Sequence, residues 1–491
     1  SVNTTATTTV SQVASSLGLS AASVSLTAPG DTAQLTATVR DANANAISGA
    51  TVTWATSNTS FATVSSAGLV TSVGDGTATI TATSGSVNQT ANAVVTCSTD
   101  TDSDRLYDCV ETNTGTYVST SNTGTAPNDS DTDDDSINDG DEVLGTLAGL
   151  DLPGLGASPL IKTILVEYDW FDDSGHTHRP TAQVMDSLVV AFSREGIQLI
   201  NDYGQGSAPF DGGNLISDAD GDVDGFGSEH AAYKAANFAS NRNGYFHYAM
   251  HPHSYNDGGS SGLAEVNGDD LINATLNFYG NYQAVAGTIL HELGHNLGLR
   301  HGGNENANYK PNYNSVMSYQ YQFYGVDNNC TIPGNGVLAY SHGTRPSLNE
   351  ASLDESLGIC EDTAPVNAFW KVDWNGDGDW NDAGSMNIDG RWAEIYAPDP
   401  PTYPNGYCQD AGAYCTVSGI QNANLTLLTD HDDWANLVYA GISDSDGIGG
   451  SPEIIWEADA EDIMIRAVEI ALPIDQSAPM PIQVPTRRPG N

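Results

Sequence analysis

Positive charge is what this chain has least of. Lys and Arg number 15 against 62 Asp and Glu, and the formal net charge is -47 at pH 7. A basic face is what grips phosphate, so nucleic acid is disfavoured as a partner, and an anionic membrane surface with it. Such acidity suits calcium loading or life in salt. No apolar run is long enough to span a bilayer. The sequence shows no signal-peptide pattern and opens on Ser1 without Met, so a processed, mature form is expected. Cysteine is scarce too: Cys97 and Cys109, Cys330 and Cys360, Cys408 and Cys415 form three sequence-local groups. Nearest-neighbour pairing is the simplest of the combinations open to them, and it implies an oxidising compartment and a secreted protein. At 491 residues the chain has room for several domains.

Histidine is also rare, with 11 in all, yet three fall within residues 291 to 301, His-Glu-Leu-Gly-His-Asn-Leu-Gly-Leu-Arg-His. Ala286, Ile289, Leu290, Leu293 and Leu297 keep helical spacing and predict one buried face. On that helix His291 and His295 leave the same side and can share one zinc ion. Glu292, beside the first ligand, is placed to act as general base toward a water. Gly298 tolerates the left-handed conformation that ends a helix, so the chain can turn and bring His301 back as third ligand. Three protein ligands leave a position open, as catalytic zinc sites do.

The run Asn314-Ser-Val-Met-Ser-Tyr319 follows. With the histidine motif it resembles the metzincin metallopeptidases, whose Met-turn puts a methionine under the zinc; the resemblance assigns Met317 to that place. It also implies that Tyr319 donates a hydrogen bond to the developing oxyanion. Gly302 and Gly303 depart from the residues that named metzincin families carry after the third His. The runs around His295, Lys310 and Asp430 look like a group of secreted bacterial zinc metallopeptidases, over about residues 160 to 470. The resemblance implies hydrolysis of protein or peptide substrates.

Residues 1–97 alternate Thr, Val and Ala between turns such as Pro29-Gly-Asp and Gly74-Asp-Gly, the pattern of an all-β sandwich. Trp54-Ala-Thr-Ser-Asn and Gly76-Thr-Ala-Thr-Ile-Thr-Ala resemble the bacterial Ig-like group 2 domain, which implies a spacer or adhesive module contacting a cell surface or matrix.

Residues 98–158 read as an acidic linker with one pattern twice. Asp100, Asp102, Asp104, Asp108 and Glu111 repeat as Asp131, Asp133, Asp135, Asp139 and Glu142. These are loop positions 1, 3, 5, 9 and 12 of a calcium-binding frame, with Leu106 and Ile137 offering main-chain carbonyls at position 7. Arg105 and Ser136 replace the EF-hand Gly, and the loops resemble thrombospondin type 3 repeats. Two weaker calcium candidates follow: Asp218, Asp220, Asp222 and Asp224 with Glu229, and Asp373, Asn375, Asp377 and Asp379.

An α/β (α+β) metzincin-like catalytic domain is expected over 159–475 and a tail over 476–491. Thr163–Tyr168 reads as a strand, Ala182–Glu195 as a helix, and Gly244–Met250 and Leu271–Leu276 as strands, either of which is a candidate edge for pairing with an extended substrate. His247, His251 and His253 read as packing or turn residues. The leading expectation is a secreted zinc endopeptidase with structural Ca²⁺. The competing one is a calcium-dependent adhesion protein with an inactive peptidase-like domain, against which the intact Glu292 argues.

Overall fold

The computed structural model describes residues 12–27, 30–96, 98–172, 175–217, 221–256, 260–275, 278–306, 312–319, 321–323, 325–326, 337–354 and 426–439, with Gly258, Lys310 and Ser385 and short strands at 372–373, 383–384, 394–395 and 453–456. Two compact units divide the chain: Ser1–Pro153 with Ala157–Leu160, and Gly154–Gly156 with Ile161–Asn491.

Nine strands open the first unit: β1 (Ser16–Leu19), β2 (Ser23–Leu26), β3 (Thr32–Gln34), β4 (Ala37–Arg40), β5 (Thr53–Thr56), β6 (Ala62–Val64), β7 (Leu69–Ser72), β8 (Gly76–Ser84) and β9 (Val87–Val95). A four-stranded sheet in the order β2-β9-β8-β5 and a three-stranded sheet in the order β3-β7-β6 enclose Leu26, Leu35, Val70, Ile80 and Val95, while β1 pairs with β4. Period-two alternation is the cause: in β8 the side chains of Ala78, Ile80 and Ala82 are buried and the threonines between them are not. The N-terminal part is a β-sandwich. The acidic segment carries α1 (Asp139–Leu144) and α2 (Leu152–Leu155), and apart from Gly154–Gly156 it belongs to the same unit as the sandwich.

The second unit is built on a seven-stranded mixed sheet. Its strands are β10 (Thr163–Phe171), β11 (Gln198–Asp202), β12 (Leu215–Ile216), then, past a separate short β13 (Asp222–Val223), β14 (Phe246–His251), and, past β15 (Ser254–Tyr255), β16 (Gly262–Val266) and β17 (Asp270–Asn273). The order is β11-β10-β14-β17-β16-β24, where β24 is Glu453–Trp456 and β12 joins β10. Strands β11, β10, β14 and β17 run parallel; β16 is antiparallel to β17, and β24 is antiparallel to β16. The helices are α3 (Ala182–Ser193), α4 (Ser228–Asn237) and α5 (Tyr282–Asn296). Burial on the sheet explains the near-continuous apolar run of β10, whose first seven residues are all buried. Short pairs complete the described residues: β18 (Leu348–Asn349) with β23 (Leu427–Leu428), β19 (Leu353–Asp354) with β21 (Ala383–Gly384), and β20 (Val372–Asp373) with β22 (Glu394–Ile395). No described helix is long and apolar enough to cross a membrane.

The edge-strand expectation is corrected here. Both candidates are interior, since β14 lies between β10 and β17, and β17 between β14 and β16. Besides β17, the histidine helix packs on β16, which the sequence pattern did not single out; β16 is five residues long, and β24 pairs along its other edge.

Gly68 fixes a tight point of the sandwich. Its φ is +83°, and a Cβ there would sit 2.5 Å from the Leu35 carbonyl and 2.7 Å from the Trp54 ring. Gly68→Ala is expected to cost roughly 1–3 kcal/mol, because neither the carbonyl nor the ring can withdraw. Urea unfolding of the full chain, followed by tryptophan fluorescence, checks this; an unchanged midpoint for the first unit would refute it.

Candidate functional site

Helix α5 starts at Asn281, whose side chain accepts from the Ala284 amide at 3.3 Å. Its expected apolar face is present, but burial goes further: every residue from Gln283 to Asn296 is buried. The helix packs against α3, β16 and β17, and the Tyr340 hydroxyl donates to the Leu290 carbonyl. An all-round buried helix cannot leave its polar side chains in water.

The chain reverses as the glycine spacing predicts. Gly298 has φ +91°, its amide donates to His295 at 2.9 Å, and the Leu299 amide donates to Gly294 at 2.9 Å. This pair of bonds is a Schellman motif. The reversal also aims a ligand: the Leu299 carbonyl lies 2.7 Å from His295 Nδ1. The Val316 carbonyl does the same for His291 Nδ1 at 2.8 Å. With each Nδ1–H on a carbonyl, the lone pair sits on Nε2. Ring centroids of His291, His295 and His301 are 4.9, 5.3 and 5.0 Å apart, and their candidate ligand nitrogens lie within 4.8 Å of one another. Three imidazoles gathered at one point, two of them held by backbone carbonyls, fit zinc.

Glu292 is fully buried, and a Cβ on Gly262 would come within 1.9 Å of its Oε1. Met317 is buried with its sulfur against Gly294, where a Cβ would sit 2.3 Å from Sδ. The Tyr319 ring lies 4.5 Å from that of His301 and 5.7 Å from that of His291. The sequence-predicted zinc and catalytic residues therefore come together.

Sequence reasoning missed the buttress of this site. Buried Lys310 donates to the carbonyls of Gly302 at 2.7 Å and Thr429 at 2.9 Å and pairs with Glu305. The Val438 amide donates to Leu297, and a Cβ on Gly303 would meet His431. Burial pushes the Asp433 carboxyl up to about 7, and it accepts from the Tyr313 hydroxyl and the Ser341 amide. The signal available was the run from Asp430, recognised only as a resemblance.

In the acidic segment the two loops share one geometry. Ser103 and Arg105 have positive φ, as do Asp134 and Ser136 at the same places in the second loop. The Gly missing at the sixth position is therefore replaced by strained non-glycine residues. Asp100, Asp102 and Asp104 form one cluster of candidate ligand oxygens, and Asp131, Asp133 and Asp135 another. Leu106 and Ile137 bury their side chains beneath. Asp108 and Asp139 each accept from both the amide and the hydroxyl of a threonine, Thr101 or Thr132. Asp139 also lies with Asp104 and Glu111 in a third cluster, which joins the two loops.

Further bonds lock the loops together. The Gly140 amide donates to Asp104 at 2.9 Å, and Arg105 pairs with Asp141 and donates to the Gly140 and Gly145 carbonyls. Both carboxylate oxygens of Glu142 and Oε2 of Glu111 are buried without a hydrogen-bond partner. Burial, then neighbouring carboxylates, push Glu111 up to about 8 and Glu142 to about 10. Buried, bare carboxylate oxygens beside other acids fit a hard divalent cation such as calcium.

The weaker loops differ. Asp222 accepts from Ser254, and Asp224 accepts the Glu229 and His230 amides at the start of α4. Glu229 accepts from the Asp224 amide and the Tyr233 hydroxyl. These bonds give that loop a helix-capping role; Asp218 and Asp220 lie outside the described residues. Asp373 pairs opposite Glu394, while Asn375, Asp377 and Asp379 lie outside. Cys109 is disulfide-bonded; the other five cysteines lie outside the described residues, as does the tail.

Residues 3–95 match the family model of the bacterial Ig-like domain (group 2). This stretch is such a domain. The metal-capable clusters described above all lie C-terminal to the Ig-like domain. No curated protein matches the chain. Among solved structures, the S-layer protein SbsC domains 4 and 5 are 26% identical over 18% of this chain and 54% of that one, with a TM-score of 0.17. The Yersinia pseudotuberculosis adhesin InvE is 23% identical over 17% of this chain and 26% of that one, with a TM-score of 0.12. The chain thus spans about half the length of the first of these, and likeness at this level says nothing of how it works.

Glu142→Gln keeps the shape of the side chain and removes the carboxylate that calcium would draw on. With its carboxyl pushed up to about 10, Glu142 carries no charge at pH 7 without calcium, so the Tm of the calcium-free protein should hold, while the Tm gained on adding calcium should shrink. Scanning calorimetry with and without calcium tests this; a calcium-induced gain equal to that of the parent would exclude Glu142 as a ligand.

Proposed function

We propose that this chain is a secreted zinc-dependent endopeptidase carried behind an Ig-like domain and a calcium-stapled acidic segment. The observation that carries the reading is the convergence of His291, His295 and His301 on one buried point with Glu292 beside them. Zinc, when bound by the three imidazoles, supplies a Lewis acid that activates water and polarises the scissile carbonyl. The chain's own groups do the rest. The Val316 and Leu299 carbonyls hold two ligand rings in one tautomer. Glu292 takes the proton of the attacking water and delivers it to the leaving nitrogen. Tyr319 donates a hydrogen bond to the carbonyl oxygen as it gains charge. The Ig-like domain supports a second reading, a calcium-dependent extracellular adhesion protein whose peptidase-like part is inactive.

Casein or gelatin hydrolysis, read together with zinc content, separates the two. Glu292→Ala should keep zinc and fold while hydrolysis falls by about 10²–10⁴ or more, because the water loses its base. Near-parental hydrolysis by that variant would overturn the assignment, and a parent that holds zinc yet cleaves nothing would favour the adhesion reading.

Tyr319→Phe should lower kcat more than it raises KM, since its hydrogen bond belongs to the transition state. An unchanged kcat would leave Tyr319 as a packing residue.

A further inference from the structure

Three other histidines meet in the second unit. His176 and His178 follow β10. Thr177, between them, forms an isolated bridge with Asp172, and the His178 amide donates to Phe171 at 3.0 Å. In extended backbone, residues two apart point to the same side. His253 follows β14, its amide donating to the Gly221 carbonyl at 2.8 Å. Strands β10 and β14 are parallel neighbours, with Trp170 opposite His251. Their carboxyl ends therefore deliver all three rings to one place. The next parallel strand, β17, leads to Thr275, whose hydroxyl contacts His178 Nδ1.

The three rings match the zinc triad in spacing. Centroids are 4.5, 5.5 and 5.2 Å apart, against 4.9, 5.3 and 5.0 Å for His291, His295 and His301. Candidate ligand nitrogens again lie within 4.8 Å of one another. The Thr275 hydroxyl oxygen can accept a hydrogen bond from His178 Nδ1–H, which puts the ring's lone pair on Nε2, as the backbone carbonyls do at the first site. Tyr279 stacks on His176 at 3.8 Å and holds that ring's plane. His178 is buried, and His176 and His253 are half-buried.

We propose that His176, His178 and His253 form a second transition-metal site at the carboxyl edge of the parallel strands. An all-imidazole set selects a borderline divalent ion such as zinc over calcium or magnesium, which take oxygen. The ion would clamp the segment after β10 to the segment after β14. This site is separate in the chain from His291, His295 and His301 and does not depend on the peptidase reading.

Metal content tests it. The full chain is loaded with zinc in excess calcium, which occupies oxygen sites, freed of loose metal by gel filtration, and analysed by mass spectrometry of the metal. The His291→Ala/His295→Ala variant should retain about one zinc per chain, and adding His176→Ala/His253→Ala should remove it. The single variant His253→Gln, at a half-buried position, guards against loss of fold and should still lower the retained zinc several-fold with an unchanged circular dichroism spectrum. In cobalt-loaded protein, the visible bands of the His291→Ala/His295→Ala variant should vanish when His176 and His253 are also replaced. Zinc retention that is the same with and without His176 and His253, or no retention in a folded His291→Ala/His295→Ala variant, would overturn the proposal.

Discussion

Helix α5 has no solvent-facing side, so each polar group on it must find its partner inside the protein. The main chain around it is arranged accordingly. A turn at Ser315–Ser318 brings the Val316 carbonyl to His291 and the Met317 sulfur to Gly294. The reversal at Gly298 brings the Leu299 carbonyl to His295. Two glycines make the closeness possible, since Gly294 and Gly262 each stand where a Cβ would strike Met317 or Glu292. A buried helix whose imidazoles are held by carbonyls has few ways to reorient those rings.

Electrostatics sets the corresponding constraint on the first unit. Two loops crowd carboxylates that are buried or half-buried, with Arg105 the only basic side chain between residues 98 and 158. Glu142 has no hydrogen-bond donor on either oxygen. Charges so placed repel one another, and a divalent cation is the group that reverses the sign of the interaction. The interlock through Gly140, Asp104 and Arg105 ties the two loops to each other.

The two histidine triads illustrate two ways to build the same donor set. One is local: His291 and His295 share a helix face, and the third ligand returns eleven positions into the motif. The other joins residues from separate segments because parallel strands end at the same edge of a sheet. The first leaves a motif in the sequence; the second leaves only a short His-Thr-His and a distant His253.

What the sequence determined by itself was everything fixed by short-range geometry. The i, i+4 histidines, the glycine that ends their helix, the strand alternation of the Ig-like domain and the repeated acidic register were all legible, because each depends on a helix, strand or loop repeat within about a dozen residues. Tertiary structure alone decided which residues stand next to them. It placed β16 rather than β14 or β17 beside Glu292, set Lys310 and Asp433 beside the loop that carries His301, turned Asp108 and Asp139 onto threonines, used Asp224 and Glu229 for capping, and gathered His176, His178 and His253. These outcomes depend on sheet order and on contacts between distant segments, which no local period encodes.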